Sequence, residues 1–433
     1  MERGRRTVFD IARVRGLYES SSEGWTYLNA AQRAQLPEKV SSAVARAFRA
    51  APLQGESGRP RGDVAVTAAR EAIADLVGAS PECVVLGPSR AALLGTLATA
   101  VPRKLRMGRE VVLSRIDDPA NSTPWKLAAD LYGATVQWAE ADLTSGALPA
   151  WQYTSLISMD TSIVAVPAAN SHLGTVTDIR AISDTLHAKS HGWLVVDAGA
   201  YAPYRLIDMA AWGADVVALD IAPLGGPEVG ALVFRDPSLL AELHTNEARR
   251  GRHATPDPQA LAARRVAALE RDGISPGLLG GVPAVVNHLA ELDEDATGTR
   301  RERLATSLAS TSEYLGGLAD YLIDGLRDLD RVHVIGVDGE SDGAHDDSTW
   351  GRQGNHVDRL PRVSFLVQGI EAASVGERLL SNGVVAQTVG LEESALFDQM
   401  GVAEMGGAVC VALAPHNTQF DVDLLVRIVG GMV

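Results

Sequence analysis

Two aspartates stand where apolar runs of this sequence end, and a strand-end carboxylate can bind a ligand or exchange a proton with it. Asp197 closes the apolar run at residues 193–196, and Asp220 closes the run at residues 216–219. Continuous runs of Val, Leu and Ala are typical of strands that are covered on both faces of a sheet. Open α/β sheets place ligands at the carboxyl ends of such strands. We therefore expect a ligand site beside Asp197.

Strands and helices are predicted to alternate around these aspartates, which favours a mostly parallel sheet. Apolar runs predict strands, and apolar residues at helical spacing predict helices. The predicted strands lie at 83–86, 111–113, 135–138, 163–166, 193–196, 216–219 and 229–234, and the predicted helices at 64–77, 90–100, 124–132, 178–187 and 206–212.

The pattern divides the chain into four parts. Residues 1–28 form an N-terminal segment expected to pack on a small domain, and 29–245 form a large α/β domain. Connecting helices span 246–328, and residues 329–433 form a small α+β domain. The polar, Gly- and Asp-rich stretch at 336–355 is predicted to be an exposed or disordered loop. In the last two parts, helices are predicted at 258–270, 282–292, 300–327, 370–380 and 420–429, and strands at 331–335, 362–366, 383–386 and 408–413.

Length and composition exclude several classes of function. A chain of 433 residues is long enough for two domains, and its net charge of −15 argues against a nucleic acid or an anionic membrane as partner. Because no run of about 18 apolar residues occurs, we expect no membrane span. The basic N-terminus lacks the apolar core of a secretory signal. Cys83 and Cys410 lie in apolar runs, so we expect buried thiols, no disulfide, no metal site and a cytoplasmic protein.

Residues 192–234 resemble the class V aminotransferase family, the cysteine-desulfurase-like branch of the fold-type I pyridoxal-phosphate (PLP) proteins. In that family a strand-end aspartate pairs with the pyridine nitrogen of PLP, and a lysine just before a Gly-Pro pair forms the Schiff base. Asp197 fits the aspartate and Gly226-Pro227 fits the pair, which places Pro223 at the lysine position. Proline has no amine, so the resemblance implies that PLP is not held covalently, and we expect no cofactor.

The resemblance extends in order from Tyr27 to the end of the chain, and it implies a vestigial cofactor pocket. The turn that would cradle the phosphate contains Ser89, which we expect to cap a helix. Landmarks of the next motif include Asn121 and place Asp118 where the family has a histidine that stacks on the cofactor. A third motif contributes Ser171 and His172. Ser89, Asn121, Ser171, Asp197 and Pro223 would line this pocket.

Two further features of the family are replaced. The arginine that would clamp a substrate carboxylate falls on Cys410, counted back from His416-Asn417-Thr418. The region that bears the nucleophilic cysteine of desulfurases, residues 387–400, contains no cysteine. The resemblance therefore implies a fold-type I protein without aminotransferase or desulfurase chemistry.

Three hypotheses about function remain open. The chain is a binding or regulatory protein, or a partner subunit of an active paralogue; the family otherwise implies a homodimer. Alternatively, it is a PLP-independent enzyme with a rebuilt pocket for a small metabolite. The third hypothesis is a lysine-independent PLP or pyridoxamine-phosphate enzyme with His172 as base. Asp118, His172 and Asp197 are the catalytic candidates, and Asp220 and Glu228 would point into the same cavity.

Overall fold

The strands form three sheets in the computed structural model, which describes residues 9–19, 24–51, 53, 61–244, 258–270, 273–336 and 357–433. The loop predicted at 336–355 lies outside these residues except for Gly336. The described strands are β1 (Thr26–Tyr27), β2 (Val84–Gly87), β3 (Glu110–Ser114), β4 (Thr135–Ala139), β5 (Thr161–Pro167), β6 (Trp193–Asp197), β7 (Val216–Asp220), β8 (Gly230–Phe234), β9 (Val332–Val334), β10 (Arg362–Val367), β11 (Val384–Val385), β12 (Gln387–Val389) and β13 (Ala408–Ala412).

Helices cover both faces of the largest sheet, and others connect it to the C-terminal part. They begin and end as follows: α1 (Ile11–Arg15), α2 (Glu38–Ala50), α3 (Arg61–Val77), α4 (Arg90–Ala100), α5 (Pro119–Tyr132), α6 (Tyr153–Leu156), α7 (Ile179–Lys189), α8 (Met209–Trp212), α9 (Pro237–Ala241), α10 (Pro258–Leu269), α11 (Pro276–Leu279), α12 (Gly281–Ala290), α13 (Arg300–Arg327), α14 (Ala372–Ser381), α15 (Ala395–Gln399) and α16 (Gln419–Gly430).

The large sheet has the strand order β2-β8-β7-β6-β5-β3-β4, and β8 alone runs against the other six. Its central strands β5, β6 and β8 are buried along their whole length, as their apolar runs predict. One hydrophobic cluster, with α3, α7 and α12, covers one face, and a second, with α4, α5 and α10, covers the other. The predicted α/β fold with a mostly parallel central sheet is confirmed.

The C-terminal part is the predicted small α+β unit. An antiparallel sheet of order β12-β13-β10-β9 packs against α13, α14 and α16. β1 pairs in parallel with β11, so residues near the N-terminus join this part. Arg15 of α1 bonds to Asp421 of α16 at 2.9 Å, and Tyr18 bonds to His288 of α12 at 2.9 Å. The N-terminal residues thus contact both the connecting helices and the C-terminal part.

Three predicted elements differ from the structure. Helix α5 begins at Pro119, five residues before the predicted start, because Asp118 caps it and Pro119 suits the first turn. The strand predicted at 383–386 is two short strands, β11 and β12, which pair with different partners. The helix predicted at 206–212 is only one turn, α8, capped by Asp208.

No helix in the described parts of the chain is both long and apolar enough to cross a membrane. In the same residues, no group of three or more His, Cys, Asp and Glu side chains is arranged to hold a metal ion.

Candidate ligand site

Arg90, the first residue of α4, is the centre of a cluster of carboxylates at the carboxyl edge of the large sheet. Its guanidinium donates Nη1 to Asp197, Nη2 to Asp118 at 2.9 Å and Nε to Asp220 at 3.0 Å. Its backbone N–H donates to Asp220 as well, at 2.8 Å. Asp197 and Asp220 end the neighbouring strands β6 and β7, so the sheet brings them together. One guanidinium therefore neutralises part of the charge of three carboxylates.

Two glycines make room for Arg90. A Cβ atom on Gly199 would lie 2.6 Å from Arg90 Nη1, so the guanidinium rests directly on that backbone. A Cβ atom on Gly230 would lie 2.2 Å from the Ser89 carbonyl carbon and 2.3 Å from Arg90 N. Because real Cβ atoms do not approach so closely, both positions need glycine while Arg90 stays where it is. The close approach of α4 to the sheet thus depends on glycine at two positions, 199 and 230.

Asp117 and Asp118 are neighbours in the chain with opposite electrostatics. Burial disfavours the ionised form of Asp118, but Arg90 and the Ala120 amide outweigh it, and the pKa of Asp118 is below its ordinary value. Burial, together with the Asp197 charge, raises the pKa of Asp117 well above its ordinary value. The surroundings therefore favour the protonated form of Asp117 and the ionised form of Asp118. Burial also raises the pKa of Asp220, against the opposing effect of Arg90.

A cavity of about 80 Å³ lies beside this cluster. Arg90, Asp197, Asp220 and Pro223 all line it. Pro223 belongs to a short 3₁₀ turn that follows β7, and Gly225 ends this turn with φ of +83°. The cavity is much smaller than the roughly 300–1,000 Å³ of sites that enclose drug-sized ligands. It has room for a few water molecules at most.

A larger cleft of about 440 Å³ adjoins the small cavity and reaches across to the C-terminal part. Its charged wall residues are Arg115, Asp118, Arg362, Glu392 and Glu393, with Asp117 also exposed to it. Arg115 stacks on the ring of Trp138, 4.3 Å from its centroid, and pairs with Glu140 at 3.4 Å. The two cavities share wall residues, namely Ala31, Ile116, Asp117, Asp118, Ser171 and Arg362. The two cavities therefore lie side by side and share part of their walls.

The third sequence motif reaches these cavities through a fixed turn. The side-chain oxygen of Asn170 accepts hydrogen bonds from the amides of His172 and Leu173, at 2.9 and 2.8 Å. Ser171 lines both cavities, and His172 lines the larger one with its ring 5.4 Å from that of Phe397. Burial, aided by Arg362, lowers the pKa of His172 to about 4. His172 is therefore a neutral imidazole at pH 7.

The structure brings together Asp118, Asp197, Asp220 and Pro223, with Ser171 and His172 close by. Other predicted residues lie elsewhere. Ser89 caps α4 by accepting from Ala92 N at 3.2 Å, and Asn121 is buried beneath Asp117, to which it donates at 2.6 Å. Glu228 is exposed on the turn before β8. None of these three side chains lines either cavity.

Sequence reasoning missed Arg90, Asp117 and Arg362. A signal for Arg90 was present: a buried strand-end aspartate needs a cation, and Arg90 opens the helix beside that edge of the sheet. Arg362 stands at the start of an apolar strand, where an arginine is unusual. Asp117 gave no signal apart from its neighbour Asp118.

The structure also describes Cys410 and residues 387–400, where the family has its carboxylate-binding arginine and its nucleophilic cysteine. Cys410 is buried in β13, where its thiol lies 3.0 Å from Ser364 Oγ, and burial raises its pKa to about 12. Residues 387–400 form β12 and α15 along the larger cleft, with Glu392 and Glu393 facing it. Cys83 is buried and, like Cys410, free.

Comparisons with known proteins agree on one family. The model of the aminotransferase class-V family matches residues 26–249. The uncharacterized protein MT3887 of Mycobacterium tuberculosis (strain CDC 1551 / Oshkosh) is 41% identical over 97% of this chain and 98% of its own length. A probable cysteine desulfurase of Pseudomonas aeruginosa is 25% identical over 74% of this chain and 83% of its own.

A solved structure has the same fold. The cysteine desulfurase CsdA from Escherichia coli superposes with a TM-score of 0.78, covers 98% of each chain and is 20% identical in sequence. At this identity the likeness concerns the fold alone.

Proposed function

Since this chain belongs to the aminotransferase class-V family, we propose that it keeps the family's fold but works without PLP, as a binding or regulatory protein for a small molecule. The observation that carries this proposal is the Arg90 guanidinium on Asp197. In the family that aspartate pairs with the pyridine nitrogen of the cofactor. Here a side chain of the protein itself satisfies it.

The residues around Asp197 fit PLP poorly. The Arg90 guanidinium donates a hydrogen bond to Oδ2 of Asp197, and the backbone N–H of Gly199 donates to Oδ1 at 2.8 Å. The space left beside them is about 80 Å³. Asp118, Asp197 and Asp220 outnumber the one guanidinium that they share, so a phosphate group would meet net negative charge. Size, charge and hydrogen bonding thus all disfavour the cofactor.

An amine for covalent attachment is also lacking near Asp197. Pro223 stands at the lysine position and lines the small cavity. The chain has four lysines, and each has partners elsewhere: Lys39 with Glu291, Lys104 with Glu242 and Trp193, Lys126 with Asp130, and Lys189 with carbonyl groups of residues 154 and 157. These positions of the four lysines support the proposal that the protein forms no Schiff base with PLP.

A second candidate function, a rebuilt enzyme without PLP, is favoured by the pair Asp117 and Asp118. Their surroundings push their pKa values in opposite directions, and such pairs supply the acid and the base of many active sites. Both line the 440 Å³ cleft beside the neutral His172. If the cleft is catalytic, Asp117 is the proton donor and Asp118 the anion. Loss of turnover of a cleft ligand in D117N, with binding retained, would support this alternative.

Assembly is part of the proposal. Family members of fold type I form dimers, and we expect this chain to form a homodimer or to pair with an active paralogue. Three apolar side chains in and near α2, those of Leu36, Phe48 and Leu53, are each more than two-fifths exposed. Such exposed apolar groups are typical of a surface that a second subunit covers. Light scattering after gel filtration measures the mass directly, and a strictly monomeric protein would count against this part.

The experiment that tests the proposal is a titration with PLP. Wild-type protein should show no saturable change in absorbance, and borohydride treatment should leave no label at any single lysine beyond slow surface modification. The variant P223K is the matched control. We expect P223K alone to remain unlabelled at residue 223, because Arg90 still occupies Asp197. Saturable binding of PLP to the wild-type protein, covalent or not, would overturn the proposal.

A further inference from the structure

Exposed apolar side chains lie at the edge of the large sheet that is opposite the carboxylate cluster. The parallel neighbours β5, β3 and β4 all begin at this edge. Met107 and Met159 lie in the tight turns that lead into β3 and β5, and Leu131 lies in the last turn of α5, shortly before β4. Their side chains are 85%, 78% and 70% exposed, and Leu127, one helical turn before Leu131, is 62% exposed.

The register of the strands places these residues side by side. Glu110, the first residue of β3, is paired with Thr135, the first of β4, and with Thr161, the first of β5. Because neighbouring strands lie about 4.8 Å apart, the three strand starts span about 10 Å. A Cβ atom on Gly133, which ends α5, would lie 3.7 Å from the Cβ of Met107. The turn before β3 therefore contacts the end of α5.

Basic side chains border these apolar groups. Residues 102–109 include four basic residues and no acidic residue, in a chain whose net charge is −15. Lys104 and Arg109 pair with carboxylates at 3.0 and 4.0 Å. Arg103 and Arg106 are exposed, and neither has an ion-pair partner among the residues that the structure describes. The four apolar side chains together with Arg103 and Arg106 are called the amino-edge patch below.

We propose that the amino-edge patch docks an acidic amphipathic helix of a partner protein. Clustered apolar groups with a charged border are typical of protein interaction sites, and methionine adapts its shape to a partner. An amphipathic helix presents apolar residues at i, i+3, i+4 and i+7. Such a stripe can pack along Leu127 and Leu131 and reach Met107 and Met159 beyond the end of α5. Carboxylates beside the stripe then pair with Arg103 and Arg106.

The charges of the patch favour this occupant over a second copy of the chain. In a two-fold dimer the same surface of both subunits meets. Packing through the amino-edge patch would bring Arg103 and Arg106 of one subunit close to the same two arginines of the other. Like charges that face each other across an interface disfavour that assembly.

An anionic membrane is also a poorer match than a helix. Recognition of acidic lipids usually takes a cluster of four to eight basic residues, whereas Arg103 and Arg106 are the two arginines of the patch without a carboxylate partner. A helix is only about 10 Å wide, which is close to the screening length at physiological ionic strength, so it interacts mainly with the local basic group. A membrane surface would also meet the acidic remainder of a chain with net charge −15.

This interaction goes beyond the proposed function and is independent of it. The patch and the carboxylate cluster lie at opposite ends of strands of five residues, on the order of 15 Å apart. A helix bound at the patch does not enter the cleft or contact Arg90. Binding of PLP and binding at the patch are therefore separate measurements, and either can fail without the other.

The test is fluorescence anisotropy of labelled synthetic peptides titrated with the full-length protein. The first peptide has about 18 residues, or five helical turns, with leucine on one face and glutamate on the other. The second peptide has lysine in place of glutamate. We expect saturable binding of the glutamate peptide, weakened by added salt, and no binding of the lysine peptide.

Two double variants separate the apolar and the charged contributions. M107S/L131S should weaken binding of the glutamate peptide roughly tenfold or more, because it removes two apolar side chains that the helix would bury. R103E/R106E should lose the glutamate peptide and gain binding of the lysine peptide, because it reverses the charge of the patch. F420S and R427E make comparable changes at exposed positions of α16 and should bind like the wild type.

Several results would overturn the proposal. They are absence of saturable binding of the glutamate peptide to the wild type, equal affinity in M107S/L131S, and failure of R103E/R106E to exchange one peptide for the other. Sedimentation of the wild type with phosphatidylglycerol vesicles that is lost in M107S/L131S would assign the patch to a membrane instead. Self-association in analytical ultracentrifugation that is lost in the same variant would assign it to a second copy. Circular dichroism checks that each variant is folded, and the controls on α16 show whether a loss is specific to the patch.

Discussion

Replacing Arg90 by glutamine should destabilise the protein in a strongly pH-dependent way. Its side chain is 14% exposed and its partner Asp197 is 2% exposed, so the change strands a buried carboxylate. Removing one partner of a buried ion pair costs about 3–5 kcal/mol. A buried carboxyl group that has lost its cation can avoid part of that cost by binding a proton, which costs about 1.4 kcal/mol for each pH unit above the ordinary carboxyl pKa of about 4. The penalty is therefore limited to about 1.5 kcal/mol at pH 5, and the full 3–5 kcal/mol is expected at pH 8.

The assay is urea unfolding of R90Q and wild type at both pH values, with the free energy of unfolding extrapolated to water. The sign follows from linkage: a buried carboxyl group without a cation is favoured in its protonated form, so the variant loses stability as pH increases. R180Q is the control, because Arg180 pairs with Asp184 at 2.9 Å on an exposed helix face, and its loss should cost about 0.5 kcal/mol or less. A penalty for R90Q below about 1 kcal/mol at pH 8, or one that does not change with pH, would refute the central role given to Arg90.

Four further substitutions test the surroundings of the site and the packing of the C-terminal part. G230A should destabilise the protein by about 1–3 kcal/mol or more, since its Cβ would clash with backbone atoms of residues 89 and 90. G199A should destabilise the wild type, because its Cβ would clash with the Arg90 side chain, but it should have almost no effect on the stability of R90Q. The raised pKa of Asp117 contributes stability at low pH, and this contribution is lost as pH increases through that pKa. The free energy of unfolding of D117N should therefore fall less with increasing pH than that of the wild type. Parallel curves for the two proteins would contradict this. Burial lowers the pKa of His416 to about 4, so its contribution is present above pH 6.5 and lost on acidification to about 4. H416N should therefore flatten the stability curve there by about 1.4 kcal/mol per pH unit, and an unchanged slope would contradict the assignment.

The fold was predictable because its signals are local and repeated. The runs at β6, β7 and β8 are apolar throughout, as only strands buried on both faces are, and their spacing leaves room for crossover helices. Helices α4 and α13 begin and end at the predicted residues, because Ser89 caps the first and the capping box of Thr299 with Glu302 fixes the start of the second. Where two start signals competed, as at Pro119 and Pro124 of α5, the wrong one was chosen.

The site was only partly predictable because its partners are distant in the sequence. Asp197 stood out because it ends an apolar run, and Pro223 because it precedes Gly226-Pro227 at the family's lysine position. Nothing local connects Asp197 with Arg90, 107 residues earlier. The partner of Asp197 becomes visible only when β2, β8, β7 and β6 lie side by side. Arg362 reaches Ser171 across 191 residues, from the small sheet to a turn of the large one. Such contacts depend on how the two parts of the chain pack, which no single stretch encodes.

We propose that a guanidinium of the chain itself takes the place of the cofactor's ring nitrogen at Asp197. The most direct measurement is the absorption spectrum of the protein as isolated, followed by borohydride reduction and peptide mapping by mass spectrometry. We expect a colourless protein with aromatic absorbance alone and unmodified peptides at all four lysines. A yellow protein whose colour shifts on reduction, with a pyridoxyl group mapped to one lysine, would contradict it.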